Sequence, residues 1–163
     1  MKKILLLVMV LSLSASIFSA EKITGLWKSI DDTTGLVKSV SIIYEKSGKV
    51  YGRLLVTYED DGSLSDPNLK TTQVVGEPTY TGLDFIWDMT DSGKKWSKGK
   101  ILDPLPGKIY SCDMWIEGGN LIVRGKIGPF GRSQTWVPVT DLSTLPEWVV
   151  IPTNPTPKIP KVK

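Results

Sequence analysis

Beyond residue 20 the chain is a succession of short runs rich in β-branched and aromatic residues, separated by clusters of Gly, Asp, Asn and Ser. That punctuation predicts strands joined by turns. Eight runs stand out, over residues 23–30, 36–45, 48–58, 82–89, 95–102, 108–117, 120–127 and 132–140. Several alternate with the period of two expected of a strand that separates two environments. Val40, Ile42 and Tyr44 share one face, Leu83, Phe85 and Trp87 another, and Tyr110, Cys112, Met114 and Ile116 a third. No stretch of this region has a helical period. Eight antiparallel strands with near-neighbour turns fit an all-β, eight-stranded up-and-down barrel, which leaves no sheet edge; a two-sheet sandwich is the alternative.

The two ends of the chain break the pattern. Met1-Lys2-Lys3 followed by an apolar stretch from Ile4 to Phe18 and by Ser19-Ala20 reads as a cleaved secretion signal, residues 1–20, and is short for an uncleaved membrane anchor. The barrel then occupies residues 21–140, without an integral membrane span, and the protein is expected in the periplasm or outside the cell. Residues 141–163 contain Pro146, Pro152, Pro155, Pro157 and Pro160, which interrupt regular structure and predict an extended arm. Trp148, Val149, Val150 and Ile151 are expected to dock it on the barrel wall before the last residues go loose.

In an up-and-down barrel successive connections alternate between the two ends. Connections two, four and six are tight polar turns around Ser47-Gly48, Ser92-Gly93 and Gly118-Gly119, so one end is closed and plain. The other end collects Asp31-Asp32, the long stretch from 59 to 81, Asp103-Pro104-Leu105-Pro106-Gly107 and Gly128-Pro129-Phe130-Gly131. Varied loops crowning a rigid barrel mark the mouth of a binding site. Asp103 is therefore a candidate contact at that mouth, although Asp before Pro also makes a good bend by itself.

Charge and residue types narrow the chemistry. Loss of Lys2 and Lys3 with the signal lowers the formal charge from +3 to +1, and no basic cluster suggests a nucleic-acid partner. Without a single His, triads that need imidazole and the usual zinc sites are excluded, and no metal or cofactor is expected. Carboxylates at the mouth, Asp31, Asp32, Asp60, Asp61 and Asp103, are the residual candidates for acid–base work or a hard cation, and are more simply turn-formers. An enzyme is not expected. Cys112 is the one thiol; it pairs two chains into a homodimer or, more simply, packs in the core.

Gly25-Leu26-Trp27 resembles the Gly-x-Trp signature of lipocalins, in which the Trp plugs the closed end of an eight-stranded calyx. The longer pattern is similar to a bacterial family of exported, lipocalin-like proteins known as a domain of unknown function. It rests on Gly25-Leu26-Trp27-Lys28 with Asp31-Asp32 and Gly35; on Gly99-Lys100-Ile101-Leu102-Asp103-Pro104 with Gly107-Lys108 and Tyr110-Ser111-Cys112; and on Arg124-Gly125 with Gly131-Arg132-Ser133-Gln134-Thr135-Trp136. Many members carry two Cys in the third connection, where this chain has Asp66-Pro67-Asn68-Leu69-Lys70, so no disulfide or redox role carries over. The resemblance implies Trp27 as a structural plug with a late Arg packed over it, Arg124 being favoured over Arg132.

An eight-stranded barrel is just wide enough to be filled by side chains or to hold one small ligand. The resemblance tips the expectation to a hollow barrel holding a small, mostly apolar or amphiphilic molecule. Tyr44, Phe85, Trp87, Tyr110 and Trp136 would supply the apolar surface, with Arg132, Gln134 and Asp103 at the rim. The alternative is a filled barrel acting as a cell-envelope interaction module through its open-end loops and arm.

Overall fold

The computed structural model describes residues 19–163. The expected signal segment, residues 1–20, falls outside them except for its last two residues. Eight strands follow in order: β1 (Gly25–Ile30), β2 (Val37–Lys46), β3 (Lys49–Thr57), β4 (Asp84–Asp91), β5 (Trp96–Asp103), β6 (Lys108–Glu117), β7 (Asn120–Ile127) and β8 (Phe130–Pro138). Each pairs antiparallel with the next, and β8 closes on β1 through Ser29 and Trp136, giving a closed barrel. The sandwich alternative is thereby excluded. The last hairpin is tighter than its Gly and Pro residues suggest, since Ile127 pairs directly with Phe130 and β8 begins two residues early.

At the closed base the chain before β1 crosses the barrel end. Its Ala20 N–H donates to Asp91 and the Trp96 indole N–H donates to the Glu21 carbonyl at 2.9 Å. Trp27 is buried, and its indole N–H donates to the Ile23 carbonyl at 2.9 Å. Inward positions at this end carry Val50, Met89, Met114 and Leu121, none of them solvent-exposed. The base is filled.

The C-terminal arm departs from expectation. Val149 and Ile151 pack against the core, but Trp148 and Val150 point to solvent. The last residues are not loose: Val162 bridges Val74, the Val75 N–H donates to the Lys161 carbonyl, and the Lys163 N–H donates to the Gln73 carbonyl. A one-turn 3-10 helix, Leu142–Thr144, lies beside Lys28 and Val40 on the outer wall. The arm then passes Lys46 at the base, where the lysine ammonium donates to the Asn154 side-chain carbonyl, and climbs the β3–β4 wall to the mouth. Prolines forbid a ninth ladder strand but leave carbonyls and a few N–H groups free to bond the wall.

Its main anchor is Asp84, a fully buried carboxylate. Arg53 donates to both of its oxygens at 2.9 and 2.8 Å, the Tyr44 hydroxyl to one at 2.8 Å and the Lys158 N–H to the other at 2.7 Å. Four donors satisfy a charge whose burial would otherwise be costly. The Arg53 guanidinium also lies over the Tyr44 ring and donates to the Thr156 carbonyl. Burial, reinforced by the bond to Asp84, pushes the Tyr44 phenol well above its ordinary range.

Candidate functional site

Toward the mouth the inward positions become small. Ser29, Ser39 and Gly125 stand where the base carries Trp and Met, and a cavity of about 730 Å³ opens there. Phe85 of β4 and Trp136 of β8 stack across the lumen with ring centroids 6.0 Å apart and form its floor. Leu54, Ile101, Tyr110 and Val123 build the wall. The Ser29 and Ser39 hydroxyls bond each other at 2.7 Å, so they satisfy one another on an otherwise apolar surface. At Gly125 an added Cβ would lie 3.7 Å from Ile101 and Tyr110, an ordinary contact. Glycine there leaves space; nothing forbids a side chain.

The rim is polar. Lys38 and Arg132 bring two cations, with Asp103, Glu59 and Gln134 between the loops. Lys38 pairs with Asp60 at 2.5 Å, whereas Arg132 approaches Asp32 only to 3.6 Å and its side chain is 76 % exposed. Asp31 and Asp61 are turn-formers: backbone N–H groups of Thr34 and Thr33, and the Ser63 hydroxyl and N–H, respectively, hold these carboxyls below the usual carboxylate range. Among the described residues no group of His, Cys, Asp or Glu is arranged to hold a metal ion.

The third connection, residues 58–83, folds over the mouth. It is braced by bridges between Tyr58 and Leu64 and between Lys70 and Thr79, and it contributes Tyr58, Ser65, Leu69 and Tyr80 to the cavity wall. Burial pushes the Tyr80 phenol up, and the nearby Asp103 charge adds to the shift. Sequence reasoning placed this segment at the mouth but named none of its residues in the wall, although Tyr58, Leu69 and Tyr80 are conspicuous apolar residues in polar surroundings. Gly107 explains the Asp-Pro-x-Pro-Gly stretch: its φ is +67°, and an added Cβ would sit 2.7 Å from the Gln73 Cβ of the third connection. The stretch is both a bend and a wall of the mouth.

Of the residues predicted to meet a ligand, the structure brings together Phe85, Tyr110, Trp136, Arg132, Gln134 and Asp103 around this one cavity. Tyr44 and Trp87 are corrected. Tyr44 stands on the outer wall, stacked on Tyr51 at 5.6 Å and bonded to Asp84 beneath the arm. Trp87 shares its register with Lys100, whose ammonium reaches the Ser111 hydroxyl outside the barrel. The reason is a register shift: Arg53 pairs with Asp84 and Gly52 with Ile86, so Phe85 is an extra residue in β4 and the alternation flips after it. Arg124 is corrected as well. It bonds the Ser133 hydroxyl on the outer surface and lies against Gly131, so it does not cover Trp27. The base is closed instead by Trp27, Ile23 and the crossing N-terminal segment.

Cys112 is buried in an inward row, and burial pushes its thiol up to about 12. On the outer wall, burial works against the charged form of Asp113, but hydrogen bonds from Lys126 and Lys95, at 2.8 and 2.6 Å, outweigh it and hold the carboxyl below its ordinary range.

The model of the family described as "Uncharacterized protein conserved in bacteria (DUF2147)" matches residues 25–137, from the first strand through the last. The chain belongs to this family. In this DUF2147 protein the matched span covers the whole barrel, and the arm lies beyond it. No curated protein is similar to it. A solved structure similar to it is that of protein HP1028 from Helicobacter pylori, described as belonging to the lipocalin family, at 21 % identity and a TM-score of 0.58, covering 74 % of this chain and 84 % of that one. That likeness shows the lipocalin-like fold.

Proposed function

We propose that this protein is an exported binding protein that holds one small, mostly apolar or amphiphilic molecule in its barrel. The observation that carries this is the cavity of about 730 Å³ with an aromatic floor and a charged rim. Its size falls in the range of small-molecule sites, and its polarity is graded along the axis, so a tail fits inward and a polar head meets Arg132, Lys38 and Gln134. The relative's membership of the lipocalin family supports the same reading. Export to the periplasm or beyond rests on the N-terminal signal pattern.

The carboxylates of Asp31 and Asp61 are engaged in turns and that of Asp60 in an ion pair, which favours a binding role for the mouth over acid–base chemistry. For the alternative, an interaction module acting through its open-end loops and arm, the arm gives little support, because it is bonded along the barrel wall.

An environment-sensitive apolar dye is expected to bind saturably and to quench Trp fluorescence, since Trp136 is in the floor. Arg132→Ala should weaken a long-chain anionic amphiphile about three- to fivefold relative to a neutral one, a modest effect because the guanidinium is mostly solvated. Absence of saturable dye binding would remove the carrier reading; binding indifferent to Arg132 would move the polar contact to Lys38.

A further inference from the structure

The two ends of the barrel differ in what they show to solvent. On the closed-end turns the residues are Lys, Ser, Gly, Asp, Glu and Asn. At the mouth, large apolar side chains stand out from the loop tips: Phe130 is 78 % exposed, Leu105 72 % and Ile127 65 %, with Ile109 beside them and Leu64 and Leu69 across the opening. Leaving one such side chain in water is ordinary, but grouping several on adjacent loops marks a surface with a partner.

The position of these residues says which partner. Leu105, Ile127 and Phe130 line the cavity as well as its outer lip, so the apolar surface runs without interruption from the rim to the Phe85–Trp136 floor. A folded protein seated there would only block the cavity. The β5–β6 and β7–β8 connections, adjacent because β6 pairs with β7, also carry Lys108 and Arg132, with Asp103 as their only acid. The acids of the mouth sit mainly on the first and third connections, at Asp31, Asp32, Glu59, Asp60, Asp61 and Asp66. Lys108 and Arg132 flank the apolar tips, Arg132 within 3.6 Å of Asp32, and most of the acids stand farther round the rim, which suits a tilted approach to an anionic bilayer.

We infer that the β5–β6 and β7–β8 loop tips dock the mouth onto a lipid surface, Leu105, Ile127 and Phe130 entering the headgroup region while Lys108 and Arg132 meet anionic headgroups. An amphiphile then passes between bilayer and cavity without its tail crossing water. This purpose, and the choice of a bilayer over a folded protein, rest on the carrier reading above; the exposed apolar tips with their neighbouring cations are a property of the rim.

The test is flotation of the mature protein with vesicles of phosphatidylcholine alone and with one quarter phosphatidylglycerol. Binding is expected to the mixed vesicles, to fall with added salt, and to weaken at least about tenfold in Leu105→Ser/Phe130→Ser, whose unchanged far-ultraviolet dichroism and melting would show a folded barrel. Lys94→Ser, on a closed-end turn, should bind as the parent does. No flotation with either vesicle, or flotation that ignores the double substitution, overturns the docking. So does a dimer in sedimentation velocity that the double substitution dissociates, because a second copy would then be the rim's partner. Dye binding to the vesicle-free parent is scored separately: flotation without it retires the carrier reading and leaves the docking standing, and the converse does the reverse.

Discussion

The base and the mouth are built by the same eight strands, yet one is packed solid and the other is hollow. At the base, short polar hairpins hold the strand ends together, and Trp27, Met114, Met89 and Leu121 fill the lumen under a crossing segment anchored by Asp91 and Trp96. At the mouth, the first and third connections are longer, several inward positions are Ser or Gly, and the third connection is held by the arm. The two regimes meet in one row across three strands, Gly99–Cys112–Gly125. At Gly99 an added Cβ would overlap the Met89 sulfur and lie 2.6 Å from the Trp87 carbonyl oxygen; at Gly125 it would meet ordinary contacts beside empty space. An eight-stranded barrel therefore does not choose between filled and hollow as a whole. Side-chain volume decides it level by level.

The largest effect should come from the base. Trp27→Ala removes a buried aromatic and its bond to Ile23, and is expected to cost about 3 to 5 kcal/mol in a urea titration. A loss under about 1 kcal/mol would break the contrast, since the base would then not depend on its plug.

Next comes the boundary row. Gly99→Ala should destabilise by about 2 to 3 kcal/mol, because a backbone carbonyl cannot move aside as a side chain can. Gly125→Ala should stay within about 0.5 kcal/mol of the parent while weakening dye binding by reducing the cavity. Equal costs at the two positions would show that the hollow region is no looser than the filled one.

Truncation after residue 141 should have a smaller effect on melting, of the order of a few degrees, but should act on the mouth. It removes the backbone bonds from Lys161 and Lys163 to the third connection, so amide exchange around residues 73–77 is expected to accelerate at least about tenfold and dye affinity to fall. Unchanged exchange there would mean that the third connection is held by Gly107 and its own bridges.

The smallest change in stability is expected on acidification to about pH 4. Asp113 has a lowered pKa in the folded state, so its pairing with Lys95 and Lys126 contributes fully above the unfolded value of about 3.9 and is lost only as pH falls through the lower folded value. Asp113→Asn should flatten the stability profile below pH 4 and leave dye binding intact. Over the same range Cys112 should stay inert to thiol reagents, its burial favouring the neutral thiol.

The strand count and the sorting of plain turns from varied loops follow from local information: turn residues act within four positions, and a strand's inside and outside alternate by geometry; closure over a sandwich was decided by the pairing of β1 with β8. By that route Asp103, Arg132 and Gln134 could be assigned to the rim, while Phe85, Tyr110 and Trp136 were expected only somewhere on the interior surface; the structure gathers all six around one cavity. Tyr44 and Trp87 could not be placed, because the extra residue at Phe85 reverses the alternation and the arm turns the outer wall at Tyr44 into an interior. Neither a bulge nor an arm's path leaves a local signature, since both depend on what lies opposite. Arg124 was misplaced for a different reason: β7 and β8 pair without a register shift, so its outward side follows from simple alternation with Val123 and Gly125, and its partner Ser133 stands far along β8 from Pro138, the partner of Trp27. Whether the lumen is hollow was likewise beyond the sequence, being set by residual volume among side chains drawn from all eight strands. That quantity exists only once the barrel has closed.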